Sequence, residues 1–165
     1  MATRRVLTTG LAVLAADQIS KIAVVHLMDL KTLLAIDVWP PYLNFRMAWN
    51  YGINFGLFSN SADLMRWVLV AVALAISAWV ILWLHRDNQG RMAQISGGLL
   101  VGGAIGNVID RIAYGAVADF LNMSCCGFSN PYSFNIADIA IFAGAIGLIV
   151  FTSSQKPADA PPENR

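Results

Sequence analysis

Five of the chain's ten acidic residues fall in or beside long apolar runs: Asp17, Asp63, Asp110, Asp119 and Asp138. Ionisable side chains at membrane depth are costly, and by default they mark function. Asp63 is the weakest of the five, because it stands only at the entrance to a run. Asp119 and Asp138 are the pair that suggests chemistry. Asp119 follows shortly after the third apolar run, and Asp138 lies near the start of the fourth. The connection between those runs closes a hairpin, so both acids are expected on helix ends at one membrane surface. Two carboxylates close together in a low-dielectric site do not both ionise easily. One pKa rises and the pair shares a proton. Such a pair can activate water: the ionised member acts as base while the protonated member polarises a carbonyl. That is aspartic-peptidase chemistry. The same positions also read as a helix cap (Asp138) and a solvated loop acid (Asp119), and spacing alone does not choose.

Other polar residues fit a support for that pair. Asp17 and Lys21 are four apart, so they share a helix face and can form an ion pair. Their reading is mainly that of a structural bridge between helices. Asn107, Asp110 and Arg111 fall at the end of the third run. Arg111 can grip a carboxylate through two donors; it is expected to hold loop backbone or a neighbouring acid, or else to snorkel to the interface. Cys125 and Cys126 are adjacent. Two neighbours cannot staple a fold, a vicinal disulfide is strained, and no Cys/His set has zinc-site spacing. The two cysteines are expected to pack.

Membrane spans must position these residues. The chain is 57% hydrophobic and only 13% charged, against about 25% charged in an ordinary globular chain. So much apolar surface needs a solvent other than water. A span takes about 20 apolar residues, and four runs qualify: about Val6–Val25, Trp67–Leu84, Met92–Ile109 and Phe134–Thr152. The expected fold is an all-α membrane protein with four transmembrane helices. Residues 1–152 would form one domain. Between the first two helices, Pro40-Pro41 and the turn-forming Asn50-Tyr51-Gly52 bracket Tyr42, Phe45 and Met47. A small extracytoplasmic β-containing segment is expected there, with Phe55, Leu57 and Phe58 facing lipid or the helices. Gly98, Gly102 and Gly106 share one face of the third helix and predict tight packing. The tail 153–165 is polar and Pro-rich and reads as a disordered cytoplasmic segment.

Basic residues set the orientation. Arg4, Arg5, Arg86, Arg91, Lys156 and Arg165 crowd short segments on one side, while Lys31, Arg46, Arg66 and Arg111 are spread through longer ones. Both termini are therefore expected in the cytoplasm, and Asp119 and Asp138 at the outer face. Arg4-Arg5 followed by an apolar run and Ala15-Ala16 imitates a secretory signal, but the run continues past Lys21 to Val25, too long for one.

Five blocks resemble the lipoprotein signal peptidases, or type II signal peptidases. They are Asp17-Gln18-Ile19-Ser20-Lys21, Asn50-Tyr51-Gly52-Ile53-Asn54-Phe55-Gly56, Gly103 through Arg111, Val117-Ala118-Asp119-Phe120, and Phe134-Asn135-Ile136-Ala137-Asp138. They stand in the family's order and span most of the chain. The resemblance implies a bacterial inner-membrane enzyme that removes the signal peptide from diacylglyceryl-modified prolipoproteins, cutting just before the lipidated cysteine. It implies Asp119 and Asp138 as the catalytic pair, with no metal and no cofactor. It puts Asn107, Arg111 and Asn135 around the site, Asn50 and Gly52 near substrate entry, and Asp17, Lys21 and Asp110 in support. Its partners would be the prolipoprotein and membrane lipid, and the enzyme would act as a monomer. Ile53-Asn54 departs from the small residues usual in the family at those positions.

Other functions fit less well. A net charge of +1 gives no electrostatic case for nucleic acid. A proton-linked carrier would use Asp17, Lys21, Asp119 and Asp138 as a relay, but these acids cluster near one surface and no internal repeat of the carrier kind is visible. A structural subunit would use its Asp and Asn residues for helix contacts alone, and would tolerate Asn at 119 and 138.

Overall fold

The computed structural model describes residues 2–52 and 61–152. Residues 53–60, which include Ile53, Asn54, Phe55, Gly56, Leu57 and Phe58, and the tail 153–165 lie outside the described residues. The helices are α1 (Ala2–Lys21), α2 (Leu30–Leu33), α3 (Ser61–Arg86), α4 (Arg91–Tyr114) and α5 (Ile136–Thr152). A π-helical segment, Ile22–Leu27, prolongs α1. The strands are β1 (Ala35–Trp39), β2 (Leu43–Asn50) and β3 (Val117–Met123).

Among the described residues, three helical stretches are long and apolar enough to cross a membrane: Thr3–Leu27, Asp63–Arg86 and Arg91–Tyr114. The fourth apolar helix, Ile136–Thr152, has 17 residues. The chain is thus mostly helical, with a small sheet attached. Of the three long stretches, α4 is the central one. Inside the protein, 67% of its apolar window is buried, against 22% for α1 and α3. It packs on α1, α3 and α5. Its glycines make that possible. A methyl group on Gly98 would stand 2.6 Å from Cβ of Thr9, and one on Gly106 would stand 2.6 Å from a carboxylate oxygen of Asp17. Where lipid is as apolar as the side chains, close backbone approach of this kind drives helix association. The Gly98/Gly102/Gly106 face is therefore the packing face that its spacing predicts. By contrast, α3 turns Trp67, Leu74, Trp79 and Leu82 outward.

The sheet is antiparallel in the order β1-β2-β3. β1 and β2 form an antiparallel hairpin between α1 and α3, where a small β-containing segment is expected. The third strand comes from elsewhere: it follows α4 and pairs Leu43 with Met123, Ala48 with Asp119 and Asn50 with Val117. Gly115, at φ +81°, ends α4 by donating its N–H to the Arg111 carbonyl at 3.0 Å. This left-handed cap suits glycine, and it turns the chain back onto β2. One face of β3 closes a core in which Ala118 and Phe120 meet Val24, Val25 and Leu30. The backbone of Phe134 then bonds to β3, donating to Leu121 at 3.0 Å and accepting from Leu121 and Phe120 at 2.8 and 3.0 Å. That ties the start of α5 to the strand.

Cys125 and Cys126 are both exposed and free. The expectation that they pack is corrected: they occupy a turn beyond β3, where the backbone of Cys125 pairs with Phe128.

Candidate active site

Side chains alternate along a strand. Since Ala118 and Phe120 face the apolar core, Asp119 between them faces the opposite way. It is only 3% exposed. The expectation of two helix-end acids is thus corrected for Asp119, which sits on β3. After Gly115 the backbone finds hydrogen-bond partners on β2, so the chain continues as a strand and α4 goes no further. Asp138 does stand on a helix end, as the third residue of α5.

Asn135 joins the two acids. Its side-chain oxygen accepts the Asp138 N–H at 2.9 Å, and Asp138 Oδ2 accepts the Asn135 N–H at 3.4 Å. This reciprocal pair is a capping box. The helix-cap reading and the chemical reading of Asp138 therefore describe one arrangement. The amide nitrogen of the same Asn135 donates to Asp119 Oδ1 at 2.6 Å. Asn107 completes the ring: its Nδ2 donates to Asp138 Oδ1 at 2.9 Å, and its oxygen accepts from Asn135 at 3.3 Å. Asn135 is fully buried and Asn107 nearly so.

Asn50 supports Asp119 from the outer side. Its Nδ2 donates to Asp119 Oδ2 at 3.1 Å. Its own oxygen is fixed by the Gly52 N–H at 2.9 Å, a local turn that leaves the amide aimed at the acid. Gly52 lies at φ +88°, and a methyl group there would strike Leu69.

The electrostatics separate Asp119 from an ordinary surface acid. Burial, and then the neighbouring charge of Asp138, push its carboxyl up to about 7, against the pull of Asn50, Asn135 and Lys21. Neutral amides can hold a carboxylate in place without giving it a full counter-charge. Among the described residues neither Asp119 nor Asp138 joins an ion pair.

Asp17, Lys21 and Asp110 lie beside this ring. The Lys21 ammonium is 2.7 Å from Asp17 Oδ2 and 2.7 Å from Asp110 Oδ2. Asp17 Oδ1 accepts the Ala137 N–H at 3.0 Å, and Asp110 Oδ2 accepts the Ala118 N–H at 3.1 Å. The expected Asp17–Lys21 bridge is present, and it reaches α4, β3 and α5 as well. Gln18, which sequence reasoning passed over, donates to both carboxylates at 3.1 and 3.2 Å. Its position three before Lys21 on the same helix was the available signal.

Arg111 does not grip an acid or a loop carbonyl among the described residues. Its charge acts at longer range on Asp138, Asp119 and Asp110. The residue that holds backbone at the end of α4 is Arg66, whose Nη2 donates to the Ile112 carbonyl at 3.0 Å. Asp63 is exposed, stands 3.9 Å from Arg66, and takes no part in the site. No group of three His, Cys, Asp or Glu side chains that could hold a metal ion occurs among the described residues.

A cleft of about 350 Å³ opens between α3, α4 and α5. Leu69, Val72 and Ile76 form one wall, Leu100, Ala104 and Ile141 the other, and Asn107 and Arg111 stand at its polar end. Leu100, Ala104, Asn107 and Arg111 follow one face of α4 at helical spacing, so the cleft leads along that helix to the amide ring.

The family model for signal peptidase (SPase) II matches residues 9–154. A lipoprotein signal peptidase of Methylobacterium sp. (strain 4-46) is 42% identical over 146 residues, covering 88% of this chain and 87% of its own. That of Methylorubrum extorquens (strain PA1) is 43% identical over 154 residues, covering 92% and 86%. A bacterial membrane enzyme solved by the in meso method at 1.9 Å resolution superimposes with a TM-score of 0.76 at 26% identity, over 92% of this chain and 94% of that one. The motif blocks, the two-acid site and these likenesses agree over nearly the whole length, and the chain belongs to the signal peptidase II family.

Proposed function

We propose that the protein is a membrane aspartic endopeptidase that removes the signal peptide from diacylglyceryl-modified bacterial prolipoproteins, cutting just before the lipidated cysteine, with Asp119 and Asp138 as its catalytic pair. The observation that carries this reading is the amide ring of Asn135 and Asn107. It holds two carboxyl groups side by side, neither of them in an ion pair among the described residues, and with one of them raised to about 7.

In the resting site Asp119 carries the shared proton. Asp138 takes a proton from water as its oxygen attacks the scissile carbonyl, and Asp119 gives its proton to the carbonyl oxygen. The tetrahedral intermediate then collapses as Asp138 passes the proton it took from water to the leaving amine and Asp119 recovers its proton from the hydroxyl as the carbonyl re-forms. The cleft suits an apolar signal-peptide helix, and its polar end delivers the scissile bond to the pair. Acyl chains of the substrate stay in lipid, so cleavage belongs at a membrane boundary.

The topology that fits is four spans, with Ile136–Thr152 as the fourth. Its 17 residues are at the short end of the range for a span. The density of Arg and Lys at 4, 5, 86 and 91 supports cytoplasmic termini in the inner membrane, with the sheet and the pair at the periplasmic face. Membrane lipid as a partner and action as a monomer belong to the same reading.

The test is cleavage of a diacylglyceryl-modified prolipoprotein by purified protein, beside an unlipidated control. Wild type should cut only the lipidated substrate, and folded Asp119→Asn and Asp138→Asn should not cut. Near-normal activity in either variant would refute the pair. Proton flux into liposomes without cleavage would favour a carrier.

A further inference from the structure

Asp17 and Asp110 stand in a mirrored relation to the two candidate catalytic acids. Asp17 accepts the N–H of Ala137, the residue before Asp138; Asp110 accepts the N–H of Ala118, the residue before Asp119. One ammonium touches both carboxylates at 2.7 Å. All three residues are at least 95% buried. Gln18 spans the same two carboxylates, and the missing side chain of Gly106 makes room for Asp17.

The chemistry of the cation matters here. Two buried carboxylates facing each other repel, and without a cation between them each is pushed off the backbone group it holds. An N–H held by such a group loses its partner. A compact ammonium with three donors can satisfy both at once. Removing it frees the strand carrying Asp119 and the helix start carrying Asp138 to move independently.

We propose that Lys21 is a positioning residue for the cleavage reaction: by holding Asp17 and Asp110 together, it fixes Ala118 and Ala137, and through them the separation of Asp119 and Asp138. This rests on the reading of those two acids as the catalytic pair. Lys21 does not line the cleft, so substrate binding should be largely independent of it.

The experiment compares wild type, Lys21→Met, Asp17→Asn and Asp110→Asn, with Asp119→Asn as the dead control, all per folded molecule. A misplacement of about 1 Å costs about 100-fold in rate. Lys21→Met should therefore lose about 100-fold in kcat with KM nearly unchanged. The pH profile supplies a readout that a purely structural role leaves alone. The groups acting on Asp119 are Asp138 from α5, Arg111 from α4, Lys21 from α1, and the amides of Asn50 and Asn135. Lys21 favours the ionised form of Asp119, so its loss should move the alkaline limb of kcat to higher pH. If Lys21→Met does not fold, Asp17→Asn and Asp110→Asn decide: each should lower kcat and keep KM. Wild-type kcat and an unmoved alkaline limb in folded Lys21→Met, or wild-type kcat in both Asn variants, would overturn the proposal while an inactive Asp119→Asn leaves the catalytic pair standing. An active Asp119→Asn would instead remove the reading beneath it.

Discussion

Two pairs of carboxylates lie within a few residues of each other in this molecule. Asp17 and Asp110 share an ammonium at 2.7 Å and spend their remaining oxygen capacity on backbone N–H groups and Gln18. Asp119 and Asp138 share asparagines. The residue type is the same, the burial is similar for three of the four, and the partners differ. A full positive charge makes the first pair a fixed structural anchor. Neutral amides hold the second pair in place and leave its charges to act on each other, so one proton is kept near neutral pH. What donates to a buried acid thus separates an ion-paired anchor from the arrangement that the proposed catalytic pair requires.

The sharpest way to break this contrast is to give the second pair what the first already has. Asn107→Lys would bring an ammonium to Asp138 in place of an amide donor at 2.9 Å. Pairing should keep the acid ionised and unreactive as a base, and kcat should fall about 100-fold to 10,000-fold, the usual worth of general acid–base catalysis. Single-turnover cleavage of the lipidated substrate measures it. A folded Asn107→Lys enzyme with normal kcat would mean that the neutrality of the amide ring has no role.

A smaller effect separates the pairs by pH. Folding raises the Asp119 carboxyl from 3.8 to about 7. Between those values the folded chain holds a proton that the unfolded chain has released, so this group's stabilisation is complete below the lower value and lost as pH rises through the upper one. Two outcomes are expected. Wild-type kcat should decline above pH 7 as the shared proton leaves. Asp119→Asn, although inactive, should melt at a higher temperature than wild type at pH 8, with the gap closing toward pH 4. Asp110→Asn should do the opposite at pH 8, because it strips one partner from a buried ion pair, a loss of about 3–5 kcal/mol. Thermal unfolding in detergent across pH checks both signs.

Much of this was legible in the sequence, for identifiable reasons. Helix placement followed from long apolar runs, and the Asp17–Lys21 bridge and the glycine face of α4 followed from helical spacing, a purely local property. What escaped was non-local. Nothing near Val117–Met123 says that its backbone partners lie some 70 residues away on β2, so Asp119 was expected on a helix end. Arg111 was expected to hold loop backbone or a neighbouring acid, or else to snorkel, yet it is Arg66, near the start of α3, that holds backbone at the α4 terminus. Gln18 stood inside a recognised block, but its link to Asp110 depends on how α1 and α4 pack. The cysteines were expected to pack because adjacent thiols suit neither a staple nor a zinc site; here a turn carries them outward.

The smallest effect tests how the two amide donors to Asp119 share their work. Asn135 is fully buried and donates at 2.6 Å, whereas Asn50 lies on the exposed end of β2 and donates at 3.1 Å. Both favour the ionised carboxylate, so removing either should raise the Asp119 pKa and shift the alkaline limb of kcat upward. A hydrogen bond worth about 0.5–1.5 kcal/mol corresponds to a shift of about 0.4–1.1 units at 1.36 kcal/mol per unit. Asn50→Ala should fall at the low end of that range, because water can replace an exposed donor, and its kcat at the optimum should change by less than about threefold. Asn135→Ala should shift the limb further and cost far more rate, since it also takes the cap from α5 and the link between the two acids. Equal effects of the two substitutions would mean that Asp119 is open to solvent on both sides, and the buried amide ring would then lose its claim to set the proton of the pair.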